Sequence, residues 1–174
     1  MALVNEPQLK NNSSSMRKLW NRPASPVWSL STVSESCKPN MNICTYVTAV
    51  SLQPKVMTVA VYHGTKTREN IVLGSRVLLQ LLTEDLAPAV WVCGQQSGRT
   101  IDKISRLQKR YQLEECKGLF YFLTAAGYIE LSITDIHEPG GDHTLVTGQV
   151  LFSRNLTDKP ILTTTFLREH KYTR

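Results

Sequence analysis

The sequence predicts a mainly β domain folded as a barrel with short flanking helices. Segments rich in β-branched and aromatic residues recur along the chain, turn residues separate them, and the stretches with helical spacing are short. Many strands joined by turns favour a closed barrel over an open parallel sheet. The length of 174 residues fits one domain, and we expect residues 19–174 to form it.

The N-terminal region differs in composition from the rest of the chain. Residues 1–18 are polar and include the run NNSSS, which buries too little apolar surface to offset its ordering entropy. We expect a flexible arm there. An extended segment follows, because each proline disfavours helix for the residue before it, and we expect it to lie across the barrel or a partner subunit. Its marker residues are Trp20, Pro23, Pro26, Val27 and Trp28.

Three strands are predicted in the first half. Ile43–Leu52 is dense in β-branched and aromatic residues, and Pro54 ends it. Lys55–Tyr62 is apolar on both faces, as expected of a central strand, with Met57, Val59 and Val61 alternating on one of them. Arg76–Leu82 is the third.

Short helices are predicted between the strands. One begins after Thr67 and ends near Gly74, a natural C-terminal stop. Asp85–Gly94 has helical spacing, and so has Ile101–Tyr111, where apolar residues recur at offsets of three and four.

The second half returns to strand patterns. Gly118–Ala125, Tyr128–Ile136 and Thr144–Phe152 are predicted strands, and the sequence Pro-Gly-Gly at 139–141 is a turn between the last two. Alternation of apolar and polar residues in Tyr128–Ile136 indicates a half-exposed strand.

Composition excludes several classes of protein. No apolar run approaches the roughly 20 residues that cross a bilayer, and no secretory leader pattern is present. The four cysteines, without a C-x-x-C pair, fit neither a disulfide framework nor a zinc ribbon, so we expect free thiols in a reducing cytoplasm.

The net charge of +6 raises the question of nucleic acid. The densest basic cluster, Arg99 to Arg110, has the pattern of a solvated helix face, and no aromatic residues interleave with it to stack bases. We therefore expect no nucleic acid partner. A preference for small anionic ligands such as phosphates explains the surplus equally well.

Two loops have the composition of anion sites. In His63–Asn70, the hydroxyls of Thr65 and Thr67 stand with the cations Lys66 and Arg68 at a helix start, where free N–H groups favour a phosphate. The alternative is an ordinary N-cap by Thr67, and the spacing is not that of a P-loop.

The second loop, Gln96–Lys103, also runs from a small-polar turn into a helix and contains Ser97, Gly98 and Arg99. Two such loops fit a ligand with a phosphate and a polar tail, although two unrelated helix caps would have the same composition.

A third segment, His137–His143, carries two imidazoles and two carboxylates around a turn. A metal site is conceivable, but solvent-facing polar residues are the default and no metal is predicted. No nucleophile elbow, zinc helix or Rossmann loop is present, and lone Cys44 is best interpreted as a small buried hydrophobe.

Four motifs in order resemble the flavin reductase-like (FMN-binding split barrel) family over about residues 20 to 165. They are residues 40–51, the HGTKTREN loop at 63–70, Ser97-Gly98-Arg99 with Asp102-Lys103, and residues 141–145 followed by Gly148. The resemblance implies a split β-barrel homodimer with FMN in a groove near the subunit interface.

The resemblance also implies roles for individual residues. The strand Thr45, Tyr46, Val47, Thr48 would line the isoalloxazine, with its backbone bonding the ring edge. The loops with Thr65, Lys66, Thr67 and with Ser97, Gly98, Arg99 would hold the phosphate and ribityl chain, and His143 would border the nicotinamide or other substrate.

Three positions depart from the family pattern. Tyr46 stands where Trp is common, Ala49 where Pro is frequent, and Gln149 where Glu is common. The first keeps a flat ring contact, and the other two bear on the substrate rather than on the flavin.

The function implied is hydride transfer from NADH or NADPH to flavin N5, followed by passage of electrons to free flavin, oxygen or a partner protein. The flavin performs the electron chemistry, and the protein positions it. The alternatives are an FMN-binding electron carrier or storage protein without nicotinamide turnover, and a non-flavin module that binds another phosphate.

Overall fold

The computed structural model describes residues 22–172. The predicted arm at 1–18, and Trp20 of the extended segment, lie outside these residues. Within them, no helix is long and apolar enough to cross a membrane.

Strands dominate the described part of the chain. Its strands are β1 (Trp28–Val33), β2 (Pro39–Cys44), β3 (Val47–Leu52), β4 (Lys55–Tyr62), β5 (Arg76–Leu81), β6 (Leu113–Cys116), β7 (Leu119–Phe122), β8 (Gly127–His137) and β9 (His143–Asn155). The helices are α1 (Lys66–Asn70), α2 (Lys103–Gln108) and α3 (Thr164–Glu169), with a 3₁₀ turn at Glu84–Leu86 and a π-helical turn at Trp91–Gln95.

Seven strands form one antiparallel sheet in the order β2-β1-β5-β8-β9-β4-β3, and β6 and β7 form a separate hairpin. The mainly β prediction is confirmed. The prediction of a closed barrel is not met, because β2 and β3 end the sheet and do not pair with each other. These edge strands are consecutive in sequence, however, and only Thr45 and Tyr46 join them. The two edges of the sheet therefore approach each other at this bridge, which we call the seam.

The seam corrects the prediction of a single strand over Ile43–Leu52. The chain leaves β2 at Cys44 and crosses to the opposite edge of the sheet, where the N–H of Ala60 donates to the carbonyl of Tyr46 at 2.9 Å. Neither Gly nor Pro marks the break, so strand propensity alone does not reveal it. By contrast, β4 has the predicted bounds, and its Met57, Val59 and Val61 are buried.

The helices differ from prediction at their ends. Helix α1 begins at Lys66, because Thr65, and not Thr67, provides the cap: its Oγ1 accepts from the N–H of Arg68 at 3.2 Å. The predicted helix at 85–94 is only the 3₁₀ turn and the π-helical turn. Strands β1 and β6 and helix α3 are not predicted by the sequence.

The interior lies on both faces of the sheet. One cluster packs between the sheet strands and includes Leu30, Val59, Leu79 and Leu131. A smaller cluster lies against the β6–β7 hairpin and includes Leu78, Leu119 and Tyr121. The second large cluster packs under α2 and α3 and includes Met41, Cys93, Leu107 and Phe122. The extended segment joins this second cluster: Val27 is fully buried and pairs with Leu162 and Leu82 of its own chain. The extended segment, predicted to lie across the barrel, therefore contributes a residue to the hydrophobic core.

Strand β8 is less exposed than its alternating pattern predicts, because the charged residue Glu130 is buried. Glu130 was predicted on the solvent face, but it is 7% exposed and accepts from Arg76 at 2.6 Å. A register shift between Glu130 and Leu131 interrupts the strict alternation of faces.

Candidate functional site

Two adjoining clefts open beside the seam. The aromatic cleft has a volume of about 260 Å³ and is lined by Thr45, Tyr46 and His143 among others. The polar cleft, of about 240 Å³, is lined by the loops that follow β4 and the π-helical turn. Asn42, Tyr62 and Thr67 line both. The two clefts are therefore continuous, with one end flanked by aromatic rings and the other by hydroxyls, amides and cations.

The aromatic cleft is built around His143. Its ring lies edge-on between Tyr46 and Tyr62, with ring centroids 5.6 and 5.4 Å away. Both tyrosines are half exposed, and Asp142 fixes the imidazole through a 2.6 Å contact at Nδ1. Edge-on rings leave flat faces and polar tips available to an aromatic ligand.

Of the four residues predicted to contact the isoalloxazine ring, two line the aromatic cleft and two lie beyond the seam. Thr45 and Tyr46 line the aromatic cleft. Val47 and Thr48 begin β3 and line neither cleft: Val47 packs partly against the sheet core, and the exposed hydroxyl of Thr48 donates to the carbonyl of Ala49. Within this set, only the first two residues line the cleft.

The polar cleft is formed by the two predicted anion loops. Thr65, Lys66 and Thr67 line it from one side, and Ser97 and Gly98 line it from the other. Primary structure separates these loops by about thirty residues, yet the fold brings them to one cavity.

Contact between the loops is close enough to require glycine. A Cβ on Gly98 would stand 2.1 Å from Oδ1 of Asn40 and 3.3 Å from Cβ of Lys66. Asn40 is 4% exposed, and its amide nitrogen donates to Oγ1 of Thr67 at 2.9 Å. Asn40 therefore lies beneath both loops, bonded to Thr67 of one and packed against Gly98 of the other.

Lys103 is the buried cation of the polar cleft. It is 4% exposed, and its Nζ donates to the carbonyl of Cys93 at 2.6 Å. It forms no ion pair among residues 22–172, and burial lowers the pKa of its ammonium. A buried ammonium without an acidic partner is costly, and an anionic ligand in the cleft would offset that cost.

The burial of Lys103 corrects the interpretation of Arg99 to Arg110 as a solvated face. Arg106, Lys109 and Arg110 are exposed as expected. Asp102 caps α2 by accepting from the N–H of Ser105 at 3.0 Å, and the first residue of the helix after that cap points inward.

The remaining cations of the loops lie around the cleft. Arg99 lines a neighbouring groove of about 640 Å³, the outer groove, which shares Lys66 and Gly98 with the polar cleft. Arg68 is directed away from both, because its guanidinium bonds Glu138 at 3.0 Å and Thr144 at 2.7 Å.

Within His137–His143, the side chains of Glu138, Asp142 and His143 are engaged by protein partners. Glu138 contacts His63 at 2.9 Å as well as Arg68, and the described residues contain no group of three metal-ligating side chains. Burial raises the pKa of the Cys44 thiol, which lines the aromatic cleft, to about 12 and so favours its protonated form.

The lining residues outside the predicted site set include Asn40, Asn42, Tyr62 and Lys103. Asn40 and Asn42 carry a usable signal, since polar residues two apart in a strand share a face. Lys103 belongs to the second predicted loop and to the third motif, but its burial has no local signal, because a lysine in a helix pattern is usually solvated.

The sequence matches the Flavin reductase like domain over residues 20–168. The chain therefore belongs to the flavin reductase-like family. It has no match among the curated proteins.

Solved structures share the fold at low identity. The NADH:FAD oxidoreductase SgcE6 of Streptomyces globisporus C-1027, in complex with NAD and FAD fragments, is 16% identical with a TM-score of 0.70, over 83% of this chain and 82% of that one. The flavin reductase PheA2 is 22% identical with a TM-score of 0.68, over 83% and 87%.

An FMN-binding protein from Thermus thermophilus is 19% identical with a TM-score of 0.68, over 89% of this chain and 80% of that one. A Sinorhizobium meliloti 1021 protein has a TM-score of 0.72 at 21% identity, and the chain spans only 48% of its length. These likenesses support a common fold, and the activities named are those of the other proteins.

Proposed function

We propose that the protein is an FMN-binding flavoprotein of the NAD(P)H-dependent flavin reductase type, which accepts hydride from NADH or NADPH. The observation that carries the proposal is the convergence of the two anion loops around the buried ammonium of Lys103, next to a cleft lined by aromatic rings. Such an arrangement suits a ligand that is flat at one end and phosphorylated at the other.

The lining chemistry fits FMN. Lys103 has three N–H donors, and Cys93 accepts from one of them, so donors remain for phosphate oxygens. The hydroxyl of Ser97 adds a further donor, since among the described residues it only accepts a bond from the N–H of Arg99. The hydroxyl of Thr65 instead donates to the carbonyl of Tyr62 and caps α1.

The aromatic cleft would take the isoalloxazine. Tyr46 and Tyr62 offer ring contacts, and the backbone at Thr45 and Tyr46 borders the cleft at the seam. When bound, the flavin supplies the hydride- and electron-accepting chemistry. His143, held by Asp142, would border the nicotinamide and exclude water from it. Val47 and Thr48 would support the seam rather than touch the ring, and Arg99 would act from the outer groove.

We also propose that two copies of the chain pair through β3 and β9. Strand β3 is an edge strand of the sheet and carries exposed Val50 and Leu52, while β9 carries exposed Leu151 and Phe152 beyond its last pair with β4. Exposed apolar side chains on a free edge indicate an interaction surface. Residues 19–174 would form the single domain of each copy, working in the cytoplasm, where its four free thiols stay reduced.

Spectroscopy tests the proposal directly. Purified protein, as isolated or after addition of FMN, should show bound flavin in its absorption spectrum, and chromatography should identify the released chromophore. A colourless protein that takes up no added FMN would rule out flavin binding.

Anaerobic mixing then separates the reductase from its alternative. Rapid bleaching of the bound flavin by NADH or NADPH is expected. A yellow protein that neither nucleotide bleaches would instead be an electron carrier or storage protein, which the same cradle would serve. In the reductase, His143→Ala should raise the KM for the nicotinamide by a larger factor than it weakens FMN binding, since the imidazole borders both.

A further inference from the structure

Glu69 binds two cations, Lys66, which lines the polar cleft, and Arg99, which lines the neighbouring outer groove. Its Oε2 lies 3.0 Å from Nζ of Lys66, and its Oε1 lies 2.5 Å from the guanidinium of Arg99. Arg99 is anchored further by a 2.9 Å bond from Nη1 to the carbonyl of Gly64. One carboxylate therefore bridges the two predicted anion loops.

The carboxylate is charged at neutral pH. Hydrogen bonds from Lys66 and then from Arg99 lower the pKa of Glu69, so it counters the charge of two cations whenever the cleft is empty. Lys103, by contrast, has no acidic partner among residues 22–172. Lys103 is thus a cation of the polar cleft without an acidic partner among these residues, whereas Glu69 already engages Lys66 and Arg99.

The phosphate of a bound flavin and the carboxylate of Glu69 would accept hydrogen bonds from the same donors, Lys66 and Arg99. Lys66 lines the polar cleft, the outer groove and a third cavity in which Glu69 also lies. The ammonium of Lys66 can therefore reach either Glu69 or a phosphate in the polar cleft. All three charged groups of the cluster are substantially exposed, at 29% for Lys66, 40% for Glu69 and 46% for Arg99, so an exchange of partners requires little reorganisation.

We propose that Glu69 competes with the phosphate of the bound flavin for Lys66 and Arg99 and so keeps the flavin exchangeable. The inference rests on the proposed function. Its alternative is a positioning role, in which Glu69 holds the two cations ready for the phosphate. The two roles predict opposite signs for the same substitution.

The test is Glu69→Gln, which keeps size and hydrogen-bonding capacity and removes the charge. Competition predicts about fivefold to tenfold tighter FMN binding, the effect of one partly screened unit charge close to the ligand, and slower FMN release. Riboflavin, which lacks the phosphate, should bind within about twofold of its wild-type affinity. Glu169→Gln is the charge-matched control, since exposed Glu169 forms no side-chain bond among the described residues.

A second comparison isolates the mechanism. In the Lys66→Ala/Arg99→Ala background, Glu69→Gln should tighten FMN binding much less than in the wild type, because no cations remain to compete for and only the direct repulsion between carboxylate and phosphate is removed. Weaker FMN binding by Glu69→Gln with riboflavin binding retained would overturn competition in favour of positioning. Unchanged FMN binding would overturn it too. If the wild type bound neither FMN nor riboflavin, the proposed function itself would be wrong. That result is distinct from a wild type that binds FMN but whose affinity does not rise in Glu69→Gln, which would reject competition alone.

Discussion

Gly98 and Asn40 are in such close contact that the loop at 97–99 and strand β2 behave as one unit: a Cβ on Gly98 would stand 2.1 Å from Oδ1 of Asn40. Asn40 cannot rotate freely, since its amide nitrogen donates to Thr67 at 2.9 Å and the side chain is buried. Any side chain at 98 must therefore displace either the loop or this hydrogen bond.

Gly98→Ala should weaken FMN binding and lower the free energy of unfolding by about 1–3 kcal/mol, the usual range for overpacking a tight site. FMN titration and thermal unfolding measure the two effects. Gly141→Ala is the matched control, because a Cβ there meets nothing within 4 Å and its φ is not in the left-handed region. Equal behaviour of the two variants would mean that the loop relaxes without cost.

Lys103→Met should change affinity and stability in opposite directions. Removing the buried ammonium deletes a phosphate partner, so FMN affinity should fall about tenfold or more. Stability of the flavin-free protein should hold or rise, because an unpaired buried charge is replaced by an apolar chain of similar length. Lys109→Met, at the exposed C-cap of the same helix, should change neither quantity. A destabilised Lys103→Met protein with full FMN affinity would contradict both expectations.

The same lysine gives a pH dependence with a definite sign. Burial lowers the pKa of Lys103 below its ordinary value of 10.5, so between the folded and unfolded pKa values the unfolded chain binds more protons. Stability from this group therefore rises with pH across that window, and below it the full penalty of the buried charge applies. Denaturant unfolding of flavin-free wild type and Lys103→Met should show the gap between them narrowing as pH approaches 10.5. A constant gap would place the ammonium in contact with water.

Lys66→Ala/Arg99→Ala should weaken FMN binding about tenfold and riboflavin binding much less, because both cations act through the phosphate. Isothermal titration with the two flavins gives the ratio. Lys109→Ala/Arg110→Ala removes the same charge from exposed positions and serves as the control. Equal losses for both flavins in the first variant would show that neither cation meets the phosphate.

Leu52→Asp should convert a dimer to a monomer. Leu52 is 85% exposed at the end of edge strand β3, and a carboxylate buried in an interface is strongly disfavoured. Light scattering after size exclusion measures the mass. Val72→Asp is the control, since Val72 is a 52% exposed apolar residue outside β3 and β9. A monomeric wild type would contradict the proposed pairing.

The sequence was informative where local pattern decides the structure. Strands β4, β5 and β9 follow from alternation and β-branched residues, and the two loops follow from hydroxyls and cations beside helix starts. It was uninformative where the chain changes partners without a marker, as at the seam, or where tertiary packing overrides local solvation, as at Lys103. The bridging position of Glu69 is of this second kind, since it depends on a loop thirty residues away.

The seam has a consequence for which substitutions the site tolerates. Thr45 and Tyr46 lie between two strands, and the carbonyl of Tyr46 is bonded to the N–H of Ala60, so their main-chain groups are positioned by backbone contacts and the path of the chain rather than by their side chains. A heterocyclic ligand bound at the seam would be recognised by main-chain N–H and C=O groups, which most amino acids provide equally well. Divergent sequences could then keep one ligand as long as the path survives, and proline, which lacks an N–H, would be the least acceptable replacement.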